Sequence, residues 1–405
     1  MSNAVLIDAI RTPSGRGKPG GQLSGLHPTD LLAGTLAELV RRTGVDPQTI
    51  DDVIGGCLSQ VGTQAVNITR NAVLGAGLPE TVPATTIDRQ CGSSQQAATF
   101  AAQAIMSDQM NTVIACGVEM MSSHPIGRAA LGEDVWGSRV AARYPEGLVG
   151  QGISAELITG RWGFTRAELD AYSARSHQRA AAAQRDGVFD AEMIPVIWGA
   201  GTDDEHRALQ DETIRASTTA EGLAGLAPAF VNEEMARRFP EITWSITPGN
   251  SSPLTDGASA ALIMNEDVAR DAGFTPRARF HSFAVTGFDP IEMLTGVIPV
   301  TEKILARTGL SIDDIDIYEV NEAFAPVPLA WARHFDASED RLNVYGGAIA
   351  LGHPLGASGT RLLATMTTAL ERTGGRFGLQ VMCEGAGMAN ATIIERLIGG
   401  GRADH

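Results

Sequence analysis

The sequence predicts an α/β protein of two related strand–helix halves, with a long segment of different texture set between them. Three observations predict it. Short apolar runs alternate with longer amphipathic stretches up to about residue 121 and again from about residue 255. That alternation calls for helices layered on a largely parallel sheet. Two stretches read alike: LAELVRRTGVDPQTIDD in the first half and TEKILARTGLSIDDID in the second. Each gives an amphipathic helix, an RTG stop, an acidic loop and then a strand, which marks an internal repeat. Between Ser122 and Thr247 charged helical patterns sit among irregular Gly, Pro and Trp stretches, the texture of an insertion rather than of another repeat. The expected units are an N-terminal half, 1–121, completed by 248–268; a loop domain, 122–247; and a C-terminal half, 269–405.

The elements follow in order. AVLIDAI (4–10) is apolar throughout and predicts a buried strand. DLLAGTLAELVRRTG (30–44) carries Leu and Val at helical spacing and stops on Gly44. IDDVIGGCLSQ (50–60) and ATTID (84–88) predict strands, with ITRNAVLGAG (68–77) a helix between them. SSQQAATFAAQAIMSDQ (93–109) predicts a helix and NTVIACGVEMM (111–121) a strand running into a glycine turn. In the insertion, RAELDAYSARSHQRAAAAQRDG is a charged helix. DGASAALIMNEDVARDAG reads strand then helix, ARFHSFAVTG strand, and TEKILARTG helix. The stretches around GGAIALGHPLGASG and FGLQVMCEGAG close the second half.

Composition narrows the function classes. The chain has 405 residues with a formal net charge of −16, which argues against nonspecific binding to nucleic acid or anionic membranes. Lysine occurs only at Lys18 and Lys303, so almost all positive charge is arginine, the better fork for phosphate. Four cysteines with no CxxC pair make no disulfide scaffold, and no HExxH or metal-spaced cluster occurs; no metal is expected. The start, MSNAVLIDAIRTPSGRG, lacks a signal-peptide pattern, and no 18-residue apolar run occurs. A cytoplasmic protein is expected.

Four separated segments carry chemistry. Cys91, in DRQCGSSQQA, lies between a strand and a helix, where the positive end of the helix dipole favours thiolate. An isolated cysteine is more often structural; the glycine and the strand–helix junction favour a nucleophile here. His353, in GGAIALGHPLGASG, is framed by glycines at what reads as a strand-to-helix turn. A neutral imidazole there can take the proton from Cys91. Cys383, at the end of FGLQVM, is a second thiol suited to moving a proton at carbon. Asn321 and Glu322 end the apolar run IDIYEV; an Asn amide there can polarise a carbonyl, fix a water, or simply cap a helix. Cys57 and Cys116 sit in apolar strands and read as core.

These segments, in this order and over essentially the whole chain, resemble the signatures of the thiolase family. GNSSPLTDGASA (249–260) is similar to that family's CoA-binding segment, and FDPIEMLTGVIP (288–299) to its DPxxMxxG loop. The resemblance implies two similar βαβαβαββ halves in an α/β/α/β/α sandwich, with the loop domain covering the active site and CoA. It implies that Cys91 is acylated and that His353 activates it. His353 would contribute to one oxyanion hole, completed by a water that Asn321 holds; the amides of Cys91 and Gly385 would form the other. Cys383 would move the proton at the α-carbon. Ser252, Met293, Gly150 and Phe324 would line the CoA and acyl sites. Coenzyme A is implied as substrate, with no permanently bound cofactor. CoA and acyl-CoA thioesters are the implied partners of a homodimer or homotetramer.

The chain departs from the family pattern at two places. CEGAG stands where CxGGG is usual, so Ala386 replaces a glycine, which is tolerable if its φ is negative. VGQGISAE (149–156) stands where HMGxTAE is usual, so Gly150 and Gln151 replace the residues expected near pantetheine and short acyl groups. DRQCGSSQQA and MLTG resemble a subgroup of 3-ketoacyl-CoA thiolases linked to steroid or ring catabolism. No arginine cluster marks a CoA phosphate site; Arg207 and Arg215 of the loop region are the candidates. Three other readings compete: a short-chain acetyl-CoA acetyltransferase, a decarboxylating ketoacyl synthase, and a non-catalytic acyl-CoA-binding protein. The asparagine of NEAFA and Cys383, where a synthase would use two histidines, disfavour the second.

Overall fold

The computed structural model describes residues 2–199 and 205–397. The first half runs β1 (Ala4–Arg11), a short β2 (Gly15–Arg16), α1 (Pro28–Thr43), β3 (Asp52–Gly56), α2 (Ile68–Gly75), β4 (Ala84–Ile87), α3 (Ser93–Met106) and β5 (Thr112–Met120). The insertion holds α4 (Gly137–Arg143), α5 (Gln151–Trp162), α6 (Arg166–Arg185), a hairpin of β6 (Val196–Trp198) and β7 (His206–Ala208), α7 (Ala220–Ala224) and α8 (Glu233–Arg238). Then come β8 (Thr255–Asn265), α9 (Glu266–Asp271), β9 (Ala278–Gly287), α10 (Val297–Thr308), β10 (Ile317–Val320), α11 (Pro326–Phe335), α12 (Ala348–Leu351), α13 (Ser358–Thr373), β11 (Phe377–Glu384) and β12 (Met388–Arg396).

The repeat read from sequence is built twice in space. α1 ends on Gly44 and α10 on Gly309, both left-handed at φ 72°, a conformation glycine takes without steric cost. A 3₁₀ turn follows each, Pro47–Thr49 and Ile312–Asp314, and then β3 or β10. The strand order is β10-β11-β12-β9-β1-β8-β5-β3-β4. Outward from the β1–β9 seam the order is β1, β8, β5, β3 in the first half and β9, β12, β11, β10 in the second, with β4 added at the edge of the first. The seam itself is short: Val5 pairs with Arg279 and Leu6 with Ala278.

The expected largely parallel sheet is instead mixed. The last strand of each half runs antiparallel to both neighbours, β8 against β1 and β5, β12 against β9 and β11. Among the described residues, the β3–β4, β3–β5 and β10–β11 ladders are the parallel ones. Antiparallel strands need no crossover helix, which lets each half close its sheet in the middle. Both halves bury one face on the same pair of helices: Ala97, Ala101 and Ile105 of α3 and Leu363, Met366 and Leu370 of α13 pack with Leu6, Val113, Ile263, Phe280 and Ile394. The opposite faces are covered by α1 and α2 in the first half and by α10 and α11 in the second. That is five layers, with two helices at the centre, and the chemistry gathers at the starts of those helices.

Candidate active site

Cys91 sits one residue ahead of the α3 N-cap, Gly92. The loop from Asp88 to Cys91 is tight: Gln90 is left-handed at φ 50°, the Gln90 N–H donates to Asp88 Oδ1 at 2.6 Å, and the Ser93 hydroxyl donates to Gln90 O at 2.6 Å. Strain of this kind on a residue bearing a Cβ persists where its surroundings over-determine it. The thiol packs with Met121, Leu355, Leu362 and Met382, so residues of both halves enclose it.

His353 lies ahead of α13, four residues before its N-cap Ala357, with a 3₁₀ turn between. It is 3% exposed, and its N–H donates to Thr255 Oγ1 at 2.9 Å. The expected strand before it is missing. It follows the short α12 instead, and what would be a third strand survives only as a Tyr318–Leu342 bridge. The ring's tautomer follows from its neighbours. The Ser358 hydroxyl donates to Pro354 O at 2.9 Å, so Ser358 Oγ, 2.6 Å from Nδ1, accepts from it. Nδ1 then carries the proton and Nε2 is the base. Asn321 Nδ2 donates to Nε2 at 3.3 Å. Burial, with the Arg361 charge adding, holds the imidazolium pKa down to about 3; the ring is neutral.

Cys383, 0% exposed, ends β11. The Asn321 side chain hydrogen-bonds its thiol, and the Asn321 N–H donates to Val381 O at 3.0 Å, fixing the amide beside β11. Asn321 Oδ1 is buried with no hydrogen-bond partner among the described residues. Burial pushes the Cys383 thiol up to about 12. Burial also pushes the Cys91 thiol up, and the neighbouring Cys383 adds to this. Desolvation of the charge thus opposes what the α3 dipole favours at Cys91. Two neutral thiols and one neutral imidazole make up the resting site.

The remaining candidates surround this group. Ser252 donates its N–H to Ala323 O, and the Ala325 N–H donates to Asn250 O, both at 3.0 Å, so the GNSSP and NEAFA segments are laced together. The Phe324 ring meets Phe230 edge-on, centroids 6.0 Å apart. Met293, 4% exposed and left-handed at φ 47°, belongs to the same apolar cluster as Cys383. Gly385 lies in the β11–β12 turn against the Gln90 side chain. Gly150 is the exposed N-cap of α5, and a Cβ there would meet nothing within 4 Å. Glu322 accepts from Tyr172 Oη (2.8 Å), Ser176 Oγ (2.7 Å), Asn343 Nδ2 (3.0 Å) and Ile349 N–H (3.1 Å); it ties α6 to the loop leading to His353. Arg207 is ion-paired to Glu205 at 2.7 Å, and the Arg215 N–H donates to His177 Nδ1 at 3.2 Å. Cys57, one residue past β3, and Cys116 are buried.

Ala386 corrects one expectation. Its φ is 61°, the left-handed region that a Cβ disfavours. Two contacts were missed by the sequence reading. Gln151 hydrogen-bonds the Cys91 thiol, although it was placed beside the pantetheine arm. Ser358 orients His353 and was passed over, although it stands at a helix start five residues on, in the same glycine-rich segment.

Two buried thiols and a neutral imidazole, drawn from two halves of a duplicated α/β fold, make up the candidate site. The chain belongs to the thiolase family and is an enzyme of the thiolase type: the thiolase N-terminal domain matches residues 4–267 and the thiolase C-terminal domain residues 274–396. It is 46% identical to the steroid 3-ketoacyl-CoA thiolase FadA6 of Mycobacterium tuberculosis, over 98% of this chain and 95% of that protein. It is 43% identical to a 3-ketoacyl-CoA thiolase of Aliivibrio salmonicida, over 98% and 100%. The crystal structure of the Bacillus anthracis acetyl-CoA acetyltransferase matches with a TM-score of 0.87 at 36% identity, covering 98% of this chain and 99% of that one.

Proposed function

We propose that the chain cleaves 3-ketoacyl-CoA by a ping-pong mechanism with Cys91 as the acylated nucleophile. Cys91 Sγ attacks the 3-keto carbon while His353 Nε2 takes its proton. Because thiol and imidazole both rest neutral, proton transfer accompanies attack. His353 Nε2, once it carries the Cys91 proton, and a water held by Asn321 donate to one carbonyl oxygen of the substrate; the amides of Cys91 and Gly385 donate to the other. The C2–C3 bond breaks, acetyl-CoA leaves as its enolate, and Cys383 protonates it at carbon. A second CoA, its thiol proton taken by the Cys383 thiolate, then attacks the thioester and takes the acyl group, and His353 returns its proton to Cys91 as that bond breaks. Run backwards, the same steps are a Claisen condensation. The observation that carries this reading is the Ser358–His353–Asn321 chain of hydrogen bonds, which leaves Nε2 as the base beside two thiols.

The substrate we propose is a bulky 3-ketoacyl-CoA. The open space at Gly150 and the name of the Mycobacterium relative support it. Ser252, Met293 and Phe324 are read as lining the pantetheine and acyl path, and the enzyme as a cytoplasmic homo-oligomer; no helix among the described residues is long and apolar enough to cross a membrane. Thiolysis rates with acetoacetyl-CoA and with a steroid-like 3-ketoacyl-CoA test the reading. Preference for the bulky substrate is expected. Preference for acetoacetyl-CoA would favour a short-chain acetyl-CoA acetyltransferase, and cleavage of neither would sink the mechanism.

A further inference from the structure

The duplication places a carboxyl group at the same position twice. Asp51 accepts the N–H groups of Asn111 and Thr112 at the start of β5 (2.6 and 2.9 Å), and Asp316 those of Arg376 and Phe377 at the start of β11 (2.7 and 3.0 Å). Counted from Thr112 and Phe377, Glu119 and Glu384 are both seven residues on. Both are 0% exposed. Each reaches across to a glycine just ahead of the central helix of the other half. Glu119 accepts from Gly356 N–H at 3.0 Å, and also from Leu58 N–H (2.8 Å), Ser59 N–H (3.1 Å) and Gln64 Nε2 (2.9 Å). Glu384 lies against Gly92 so closely that a Cβ there would be 2.1 Å from Oε1.

The two sites differ in what they offer. Four donors saturate Glu119. Neither oxygen of Glu384 has a hydrogen-bond partner among the described residues, nor does Asn390 Oδ1. Asn390 Oδ1 is 3.0 Å from that same Cβ position, and its Nδ2 already donates to Gly92 O at 3.1 Å. The donor Nδ2 lies nearer that position, at 2.7 Å, yet bonds neither Glu384 oxygen, so three buried acceptor oxygens are left without a hydrogen, and buried acceptors are rarely left so. A protonated Glu384 supplies the hydrogen.

We propose that Glu384 is a positioning residue of the acyl-transfer site: held as a neutral acid behind Gly92, it keeps negative charge away from Cys91 and Cys383, and its ionisation slows acyl transfer at alkaline pH. The proposal rests on the mechanism given above. Burial pushes this carboxyl up to about 8, the Arg89 charge opposing and Asp88 adding. Those two groups, with the two thiols, are the titratable and charged groups that face it. Once ionised it raises both thiols, so the step that removes a proton from Cys91 becomes harder.

The test is single-turnover acyl transfer from acetoacetyl-CoA to Cys91, followed from about pH 6 to about pH 10 in the wild type and in Glu384→Gln. The wild-type rate is expected to fall through about pH 8, and the variant-to-wild-type ratio to rise about tenfold between pH 7 and 9. A ratio constant across that range would overturn the proposal. Infrared spectroscopy gives a readout that needs no catalysis: because burial also raises Glu319, the readout is the difference between pH 7 and about pH 9, in which the carbonyl band of a buried protonated carboxyl should disappear. A wild type that shows this difference but never acylates Cys91 would count against the mechanism and not against the protonation of Glu384. Absence of the difference overturns the proposal, and so does one that begins only beyond the alkaline fall in rate, even if Glu384→Gln does not fold.

Discussion

Removing the Ser358 hydroxyl would leave Nδ1 of His353 without its acceptor and free the ring to flip tautomer. Ser358→Ala is expected to slow acylation of Cys91 by about 10–100-fold, within what a general base supplies, with partial rescue by Ser358→Thr; stopped-flow single-turnover kinetics would measure both. Cys91→Ser should lower turnover by about a thousandfold or more while leaving the circular dichroism spectrum unchanged; full activity in that variant would end the assignment. Ala386 pays a backbone cost at φ 61°, so Ala386→Gly should stabilise the fold by about 1 kcal/mol, read as a higher denaturant midpoint. The reactive residues were legible because glycine-rich frames around Cys91, His353 and Cys383 are short-range signals. The sign of φ at Ala386 was not, because a three-residue turn between β11 and β12 is set by the strands it joins. Nor was the neutral state of Cys91: charge at a buried thiol depends on how many residues from elsewhere cover it.

At the level of elements, the single carboxylate of Glu322 holds two of them together. It takes hydroxyl donors from α6 and amide donors from Asn343 and Ile349. Glu322→Ala takes the acceptor from three buried donors, the Tyr172 and Ser176 hydroxyls and the Ile349 N–H, and should cost about 3 kcal/mol or more, measured by chemical denaturation. Activity in that variant is expected to fall further than stability alone explains, because the loop before His353 loses its anchor. Most helices and strands could be placed from periodicity and glycine stops; α1, α3 and α10 are examples. The strand before His353 could not, because its residues read as apolar and extended while only a single bridge to Tyr318 forms. Sheet direction was misjudged for a similar reason. Alternation of strands and helices suggests crossovers, yet the paired strands β11 and β12 read in sequence like any other buried run.

For the molecule as a whole, buried titratable groups fix the pH window of stability. His177, 4% exposed, has its imidazolium pKa pushed down to about 4 by burial, with Arg215 adding. The unfolded chain therefore binds a proton below about pH 6.5 that the folded chain refuses, and stability falls as pH drops from there toward 4. That single group accounts for about 3 kcal/mol across the interval. His177→Gln should flatten this acid limb in urea titrations run from pH 4 to 7; an unchanged limb would show that His177 is protonated in the folded protein. The layering itself was legible only in part. The repeat of helix, RTG and acidic loop announced two halves, but that they share α3 and α13 as a common centre is a matter of distant contacts that no local pattern carries.

The seam between β1 and β9, two residue pairs wide, bears on how the protein is born. Cys91 leaves the ribosome 262 residues before His353 (353 − 91). At about 5–20 residues per second, the thiol waits roughly 13 to 50 s for its base. During that interval the nascent chain holds a cysteine whose proposed proton acceptor has not yet been made. On the proposed mechanism, competence requires the second half to have folded onto α3.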